Sequence, residues 1–415
     1  MPLPFDLCPL TFDLYPALEH RIAERLAAIE RAGLRRTLTL PSGVDLSSND
    51  YLGLAQDPRI VDRMIAAAHR EGCGSTASRL LRGHRKAFAD LERRFARFKK
   101  TDASLYFGSG YLANIGVLAT FLEQGDVVFS DTRNHASLID GMRLSKARRV
   151  LFDHCNVDML TRLLAAEHGP GLKFVVTESL FSMDGDRAPL ADYAALCRRN
   201  SAALIVDEAH AVGLYGHRGS GLIEEAGIEG SVFLSINTAG KALGVAGAFV
   251  AGSAWAIDYL IQRARTIIYS TAAPPSLADA LDAALTIVEH EPGRRTHVMA
   301  LASTLRERLS RQGLTPARGG HIIPIMLGDP GRTSAAAEAL AASGFDVRPI
   351  RPPTVPAGTS RLRVSLNARL DRNTLDRFAT TLERVLQGID GAGIAPRSAD
   401  ASTPILVDFR GSHGS

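Results

Sequence analysis

Cysteine is scarce in this sequence, and its residues are widely spaced. Cys8, Cys73, Cys155 and Cys197 form no C-x-x-C pair of the kind that holds zinc or carries out redox chemistry. The sequence therefore predicts reduced thiols and no metal centre.

Long apolar runs are also missing, and neither sign of charge dominates. No stretch approaches the ~20 apolar residues needed to cross a bilayer, and residues 1–10 lack the basic start and long apolar run of a signal peptide. The 48 basic and 44 acidic residues are spread through the chain and give a net charge of +4. Membrane and nucleic-acid binding are therefore not indicated, and we expect a cytoplasmic protein.

What the sequence has is enough apolar material for more than one core. A chain of 415 residues that is 46% hydrophobic exceeds what a single compact core usually supports, so we expect one large and one smaller domain. Residues 15–33 carry apolar positions at helical spacing and end at a glycine, which predicts an amphipathic N-terminal helix.

Short apolar runs then alternate with helical segments. Runs that are apolar throughout and separated by helices are typical of a mainly parallel sheet buried on both faces, so the fold class is α/β. The predicted strands are Ala103–Phe107, Val127–Ser130, Arg149–Phe152, Phe174–Thr177, Ala203–Val206, Phe233–Ile236 and Ala248–Ala251.

A helix predicted over Pro275–His290 leads into a glycine-arginine segment that suggests a domain boundary. Strand candidates at His321–Leu327 and Leu362–Ser365 predict a smaller α+β domain beyond it. We therefore divide the chain into an N-terminal helical segment (1–45), a large domain (46–292), a small C-terminal domain that packs with the N-terminal segment (293–390) and a flexible tail (391–415).

Two strand ends carry the most informative side chains. The strand before Asp207 ends in Asp-Glu-Ala-His, and the next strand leads into a loop of small residues around Lys241. Ligands of open α/β sheets lie at the carboxyl ends of strands. A lysine that forms a Schiff base needs desolvation and, on a neighbouring strand, a carboxylate to pair with a pyridinium nitrogen. A loop-capping aspartate and a surface lysine on a turn are the simpler alternatives.

Two other segments suit an anion and an aromatic ring. Gly108-Ser-Gly110 follows a strand and opens a helix, where unpaired backbone N–H groups can bind a phosphate. Because Ala113 stands at the third glycine position, a dinucleotide fingerprint is less favoured, although the turn alone is weak evidence. His135 lies on a post-strand loop, where it is either a structural residue or an imidazole that stacks on a ring and moves protons.

Together these motifs resemble the α-oxoamine synthases, a pyridoxal-phosphate family with the aspartate-aminotransferase fold, over roughly residues 35–386. The resemblance implies the type I fold of pyridoxal-phosphate transferases, with a seven-stranded sheet. It also implies a homodimer. The segments that carry it are Leu46–Gly53, Gly74–Arg79, Asn134–Ser137, Glu178–Gly185, Asp207–His210 and Thr238–Lys241.

The resemblance implies a role for each candidate residue. Lys241 would bind the cofactor covalently and move the Cα proton of the amino acid, while Asp207 would keep the pyridine nitrogen protonated. His210 and Ser182 would contact the phenolic oxygen, and His135 would stack on the ring. The phosphate would be bound by Thr238, Gly110 and Tyr111, and Ser270 and Thr271 would reach the phosphate in the partner subunit. Asn49 and Arg363 would bind the substrate carboxylate. Arg35 and Thr354 would bind the acyl substrate.

The implied reaction joins an amino acid to an acyl thioester with loss of CO2. The segment Ile350–Gly358, followed by Arg361-Leu-Arg363, is most similar to the members that condense L-alanine with a pimeloyl thioester, carried by CoA or by acyl-carrier protein, in biotin biosynthesis. Other members, of the 2-amino-3-ketobutyrate CoA ligase, 5-aminolevulinate synthase or serine palmitoyltransferase type, remain alternatives. A pyridoxal-phosphate-binding scaffold without catalysis is the alternative outside the enzymes.

Overall fold

The computed structural model describes residues 15–314 and 319–391. The predicted tail lies almost wholly outside these residues, as do residues 1–10 and Cys8. The strands are β1 (Val44–Asp45), β2 (Ala103–Phe107), β3 (Val127–Asp131), β4 (Arg148–Phe152), β5 (Lys173–Glu178), β6 (Ala202–Asp207), β7 (Leu234–Thr238), β8 (Ala248–Gly252), β9 (Ile322–Gly328), β10 (Phe345–Asp346), β11 (Pro349–Ile350) and β12 (Ser360–Ser365).

The helices account for most of the remaining described chain. Helix α2 shows how the local sequence fixes such an element: Asp57 caps it by accepting the Arg59 N–H, and Pro58 occupies its first position. The helices are α1 (Pro16–Arg31), α2 (Pro58–Glu71), α3 (Lys86–Lys99), α4 (Gly110–Phe121), α5 (Ala136–Leu144), α6 (Val157–Ala166), α7 (Leu190–Arg199), α8 (Leu222–Glu225), α9 (Ala254–Arg263), α10 (Arg265–Ile268), α11 (Ser276–His290), α12 (Pro292–Arg311), α13 (Pro330–Ala342) and α14 (Arg372–Gly391).

A seven-stranded sheet in the order β2-β8-β7-β6-β5-β3-β4 forms the centre of the α/β fold. Strands β7, β6, β5, β3 and β4 run parallel, and β8 is antiparallel to both of its neighbours. The mainly parallel sheet predicted from the apolar runs is confirmed. Its parallel strands end at one edge, which is where the candidate side chains lie.

Helices cover both faces of this sheet, because successive strand side chains point to opposite sides. Along β8, Phe249 belongs to one hydrophobic cluster and Val250 to the other. Phe249 stacks on Phe95 of α3 with ring centroids 3.9 Å apart, while Val250 shares its cluster with Val117 of α4. The sheet is thus a rigid, doubly buried platform beneath the loops at its carboxyl edge.

Two smaller sheets bring the N-terminal and C-terminal parts of the chain together. Strands β11, β12 and β9 form an antiparallel sheet, and β1 pairs in parallel with β10. The segment after β1 continues along β12: Ser365 donates its N–H to the Leu46 carbonyl at 2.8 Å, and Ala368 to the Tyr51 carbonyl at 2.9 Å. These bonds fix residues 46–51 beside the candidate site. The domain boundaries at 45, 292 and 390 stay predictions.

Within residues 15–314 and 319–391, none of the helices combines the length and apolar character that a membrane span requires.

Candidate active site

The candidate site lies at the carboxyl ends of three neighbouring parallel strands. Glu178 at the end of β5 is paired in register with Asp207 at the end of β6, and Asp207 with Ile236 of β7. The chain continues from β7 into the loop that carries Lys241. The strand-end argument therefore predicted correctly that Asp207 and Lys241 belong to adjacent elements of one sheet edge.

The amine of Lys241 is held by a buried histidine. Its Nζ lies 2.7 Å from Nε2 of His210, and Nδ1 of His210 lies 2.6 Å from the hydroxyl of Tyr51. Burial lowers the pKa of Lys241 to about 8, although the charges of Asp207 and Glu178 oppose that shift. A lysine whose pKa is lowered in this way has a larger neutral fraction near physiological pH than an ordinary lysine, as a nucleophilic amine requires.

Two buried carboxyl groups face this amine. Asp207 accepts the Ala209 N–H at one oxygen and the Asn114 amide at the other, each at 2.8 Å. Glu178 is only 3% exposed, and its Oε1 has no hydrogen-bond partner. Burial, followed by the charge of Asp207, raises the pKa of Glu178 well above its usual range. The two donors to Asp207 stabilise the charge of its carboxylate.

His135 is connected to Asp207 through two polar side chains. The Nδ1 of His135 lies 2.7 Å from the Ser137 hydroxyl, which accepts a hydrogen bond from the Asn114 amide at 2.8 Å. The same amide donates to Asp207. Sequence reasoning missed Asn114. A usable signal was present, because it is the one polar amide in the otherwise apolar helix sequence Gly110–Phe121.

The glycine turn before α4 packs directly against Thr238. Ser109 caps the helix by accepting the Leu112 N–H, and the helix begins at Gly110. A Cβ on Gly110 would lie 2.6 Å from the Thr238 hydroxyl oxygen, so only glycine leaves this space open. The neighbouring Tyr111 is partly exposed and donates its hydroxyl to Asp140 at 2.5 Å. This turn beside Thr238, which we call the phosphate cradle, lies at the start of a helix, where backbone N–H groups without an intrahelical partner can bind a phosphate.

Arg363 contacts two other predicted positions, Ser182 and Asn49. Its guanidinium donates to the Ser182 carbonyl at 2.5 Å and to the Asn49 side-chain oxygen at 3.1 Å. A further contact reaches the Tyr51 hydroxyl at 3.4 Å. Arg363 is 7% exposed, and this buried fork suits a planar carboxylate.

The predicted acyl-binding residues are not joined to each other by hydrogen bonds in the described structure. Arg35 forms an exposed ion pair with Glu30 at 3.3 Å, whereas Thr354 accepts a hydrogen bond from Arg36 at 3.4 Å. Their common role stays a prediction.

The pair predicted to reach a partner subunit lies in another loop. Thr271 forms an isolated β-bridge with Ser78, and the Ser270 hydroxyl points to the Thr271 carbonyl at 3.4 Å. Their contact with a second subunit stays a prediction.

A histidine that sequence reasoning did not single out connects three strand-end loops. His154 contacts Asp131 at 3.0 Å through Nδ1 and Asp186 at 2.6 Å through Nε2. These hydrogen bonds outweigh burial and raise the pKa of His154 to about 11. The loops joined by this imidazolium also carry His135 and Ser182, so His154 stabilises the frame of the site.

Comparison with known proteins places this arrangement in a family. Residues 41–382 match the family described as aminotransferase class I and II. The protein belongs to the aminotransferase class I and II family. Members are pyridoxal-phosphate enzymes, and solved neighbours contain this cofactor.

The relatives of this aminotransferase class I and II protein include 8-amino-7-oxononanoate synthases. The 8-amino-7-oxononanoate synthase of Anaeromyxobacter dehalogenans is 47% identical over 393 residues, covering 91% of this chain and 98% of that protein. The protein of the same name from Anaeromyxobacter sp. (strain Fw109-5) is 49% identical over 390 residues, with the same coverage.

Solved structures share the type I fold of pyridoxal-phosphate transferases. The Sphingomonas wittichii serine palmitoyltransferase superposes with a TM-score of 0.85 at 28% identity, covering 91% of this chain and 99% of that one. The 8-amino-7-oxononanoate synthase of Francisella tularensis gives 0.73 at 28% identity, covering 85% and 99%. The predicted fold, enzyme class and cofactor are confirmed.

The residues present fit pyridoxal phosphate. The buried Lys241 amine, whose pKa is lowered, suits the aldehyde of the cofactor. Asp207 suits its pyridine nitrogen, and the space beside Gly110, which a Cβ would fill, suits its phosphate.

Proposed function

We propose that the protein condenses L-alanine with a pimeloyl thioester, with loss of CO2, to give 8-amino-7-oxononanoate in biotin biosynthesis. The carrier released is CoA or acyl-carrier protein. The observation that carries the chemistry is the buried Lys241 amine, which lies 2.7 Å from His210 and faces Asp207 and Glu178. The choice of substrates is supported by the relatives, which carry that name and are 47–49% identical over 91% of the chain.

Several residues of this chain are proposed to hold the cofactor. Lys241 binds its aldehyde, Asp207 keeps its ring nitrogen protonated, and His210 and Ser182 contact its phenolic oxygen. His135 contacts the ring. The phosphate is assigned to Gly110, Tyr111 and Thr238, and to Ser270 and Thr271 from the partner of a homodimer. When bound, pyridoxal phosphate supplies an electron sink for negative charge at the amino-acid Cα.

The remaining steps follow from the protein groups around that carbon. Arg363 and Asn49 grip the alanine carboxylate, which fixes the Cα–H bond toward Lys241. The alanine amine would take the place of Lys241 at the cofactor aldehyde, and the freed Lys241 amine would then remove the Cα proton. Cα attacks the thioester carbonyl, and the C–S bond breaks to release the thiolate, which takes a proton from solvent. The bond from Cα to the carboxylate then breaks to give CO2, and Lys241 returns a proton to Cα. Arg35 and Thr354 are proposed to contact the acyl chain.

A second candidate is serine palmitoyltransferase activity, which the TM-score of 0.85 to the Sphingomonas wittichii enzyme favours. The lower sequence identity of 28% places it behind the first proposal.

Thiol release distinguishes these candidates. The protein, loaded with pyridoxal phosphate, is assayed with alanine, glycine and serine, each against pimeloyl-CoA, pimeloyl-carrier protein and palmitoyl-CoA. We expect release with alanine and a pimeloyl thioester, no turnover in Lys241→Ala, and full turnover in Lys86→Ala, whose side chain is 86% exposed. Release only with serine and palmitoyl-CoA would favour the second candidate, and no release with any pair would favour a scaffold.

A further inference from the structure

Tyr51 is a buried phenol that none of the roles above uses. It is 0% exposed, and its ring packs edge-on against His321 with centroids 4.0 Å apart. Its hydroxyl lies 2.6 Å from Nδ1 of His210 and 2.8 Å from the side-chain oxygen of Asn49. Burial raises the pKa of Tyr51 to about 12, so the hydroxyl keeps its proton throughout the physiological range.

Counting protons fixes the direction of these bonds in the free protein. Burial, followed by the charge of Lys241, lowers the pKa of His210 well below its usual range, so the ring carries one proton. A charged Lys241 can only donate, which makes Nε2 of His210 the acceptor and leaves the proton on Nδ1. Nδ1 then donates to the Tyr51 oxygen, and the Tyr51 hydroxyl donates to Asn49, whose oxygen only accepts.

The hydrogen bond between His210 and Tyr51 must run in the opposite direction when Nε2 of His210 faces an acceptor. A phenolic oxygen of the cofactor in its ionised form needs a donor, and His210 can donate from Nε2 only if Nδ1 accepts. The Tyr51 hydroxyl can supply that proton by turning from Asn49 to His210, over 2.8 and 2.6 Å respectively. A hydroxyl both donates and accepts, so one side chain satisfies Nδ1 in either state.

We infer that Tyr51 is a positioning residue that stabilises each tautomer of His210 in turn. Its hydroxyl accepts from Nδ1 while Lys241 is a free ammonium, and it donates to Nδ1 when Nε2 donates to the cofactor's phenolic oxygen. The second half of this inference rests on the proposed function. The first half concerns only the free protein. The charged and titratable groups that face His210 are Lys241, Arg363, His321 and His135.

The test is nitrogen NMR of histidine-labelled protein without cofactor, recorded below the Lys241 pKa of about 8. The two ring nitrogens of a neutral histidine give distinct shifts, and a His210→Gln variant assigns the signals. We expect the His210 proton on Nδ1 in the natural protein. In Tyr51→Phe, Nδ1 loses its acceptor, so we expect the proton to shift toward Nε2, where a neutral Lys241 amine can accept it. A proton on Nε2 in the natural protein would overturn the inference, whether or not the variant folds.

Tyr215→Phe is the matched control. Tyr215 is also a buried phenol, and its hydroxyl lies 3.3 Å from His321 rather than beside His210. We expect it to leave the His210 tautomer unchanged.

Turnover adds a second readout. Loss of one hydrogen bond to a catalytic group predicts a kcat lowered by roughly three- to tenfold in Tyr51→Phe. Because the lost hydroxyl also contacts Asn49 and Arg363, we expect KM for alanine to rise as well. An unchanged kcat or an unchanged tautomer in that variant would overturn the inference. If the natural protein released no thiol, the proposed function would fail, while the NMR of the free protein would still decide the role of Tyr51.

Discussion

Lys99→Met tests how the turn after β6, which carries Asp207 and His210, is stabilised. The Lys99 ammonium forms an ion pair with Glu208 and donates to the Ser220 carbonyl at 2.5 Å. The side chains of this ion pair are only 2% and 0% exposed. Glu208 also accepts the Ile223 N–H at 2.9 Å and lies between Asp207 and His210 in the sequence. The ion pair therefore anchors the turn that presents both site residues.

The expected loss in the free energy of unfolding follows from the unpaired group that the substitution leaves in the protein interior. Methionine fills much of the lysine volume but strands the Glu208 carboxylate without its cation. Breaking one side of a buried ion pair costs about 3–5 kcal/mol. Replacing both partners, in Lys99→Met with Glu208→Gln, removes the unpaired charge and keeps an acceptor for Ile223. We expect the double variant to recover about half of the lost stability, since one neutral unmade bond costs about 1–3 kcal/mol.

Urea unfolding of the cofactor-free protein at one fixed protein concentration measures these differences. Lys86→Met is the control, because the exposed Lys86–Asp90 pair contributes at most about 1 kcal/mol. A Lys99→Met protein within about 1 kcal/mol of the natural one would refute the reasoning. So would a double variant less stable than Lys99→Met alone.

Two more variants test the phosphate cradle and the histidine frame. Gly110→Ala places a Cβ 2.6 Å from the Thr238 hydroxyl oxygen and should weaken the binding of pyridoxal phosphate by about tenfold or more in an absorbance titration. In the control variant Gly108→Ala the nearest atom lies 3.8 Å from the new Cβ, so binding should not weaken. Equal affinities of the two variants would contradict the assignment of the phosphate to this turn. Asp131 and Asp186 raise the pKa of His154 to about 11 in the folded protein. The stability that His154 adds to the fold is therefore complete below its unfolded-state pKa of about 6.5 and is lost as pH rises toward its folded-state pKa. The stability difference between the natural protein and His154→Gln should therefore shrink from about pH 6 to about pH 9, and a constant or growing difference would contradict the ion pairs.

Much of the fold could be predicted because burial on both faces leaves continuous apolar runs. The run at 103–107 is β2, and the others lie within about two residues of β3 to β8. The helix predicted over 15–33 is α1, and the strand candidates at 321–327 and 362–365 are β9 and β12. These predictions are confirmed. They could be made because each depends only on the local spacing of apolar residues.

The contacts that complete the site depend on tertiary structure instead. Tyr51 meets His210 across 159 residues, and Asn114 meets Asp207 across 93. No local pattern encodes such pairs. The neighbourhood of Asp207 and Lys241 was predictable because parallel strands end at one edge. The sequence marks Glu178 only as part of a motif and does not indicate that its carboxyl group lies beside Asp207.

The most direct test of the central claim is to find the lysine that holds the cofactor. The protein is incubated with pyridoxal phosphate, reduced with borohydride and digested, and the labelled peptide is sequenced by mass spectrometry. We predict one labelled residue, Lys241, because burial lowers its pKa to about 8 beside Asp207. Stoichiometric label on another lysine, with Lys241 unmodified, would contradict the account.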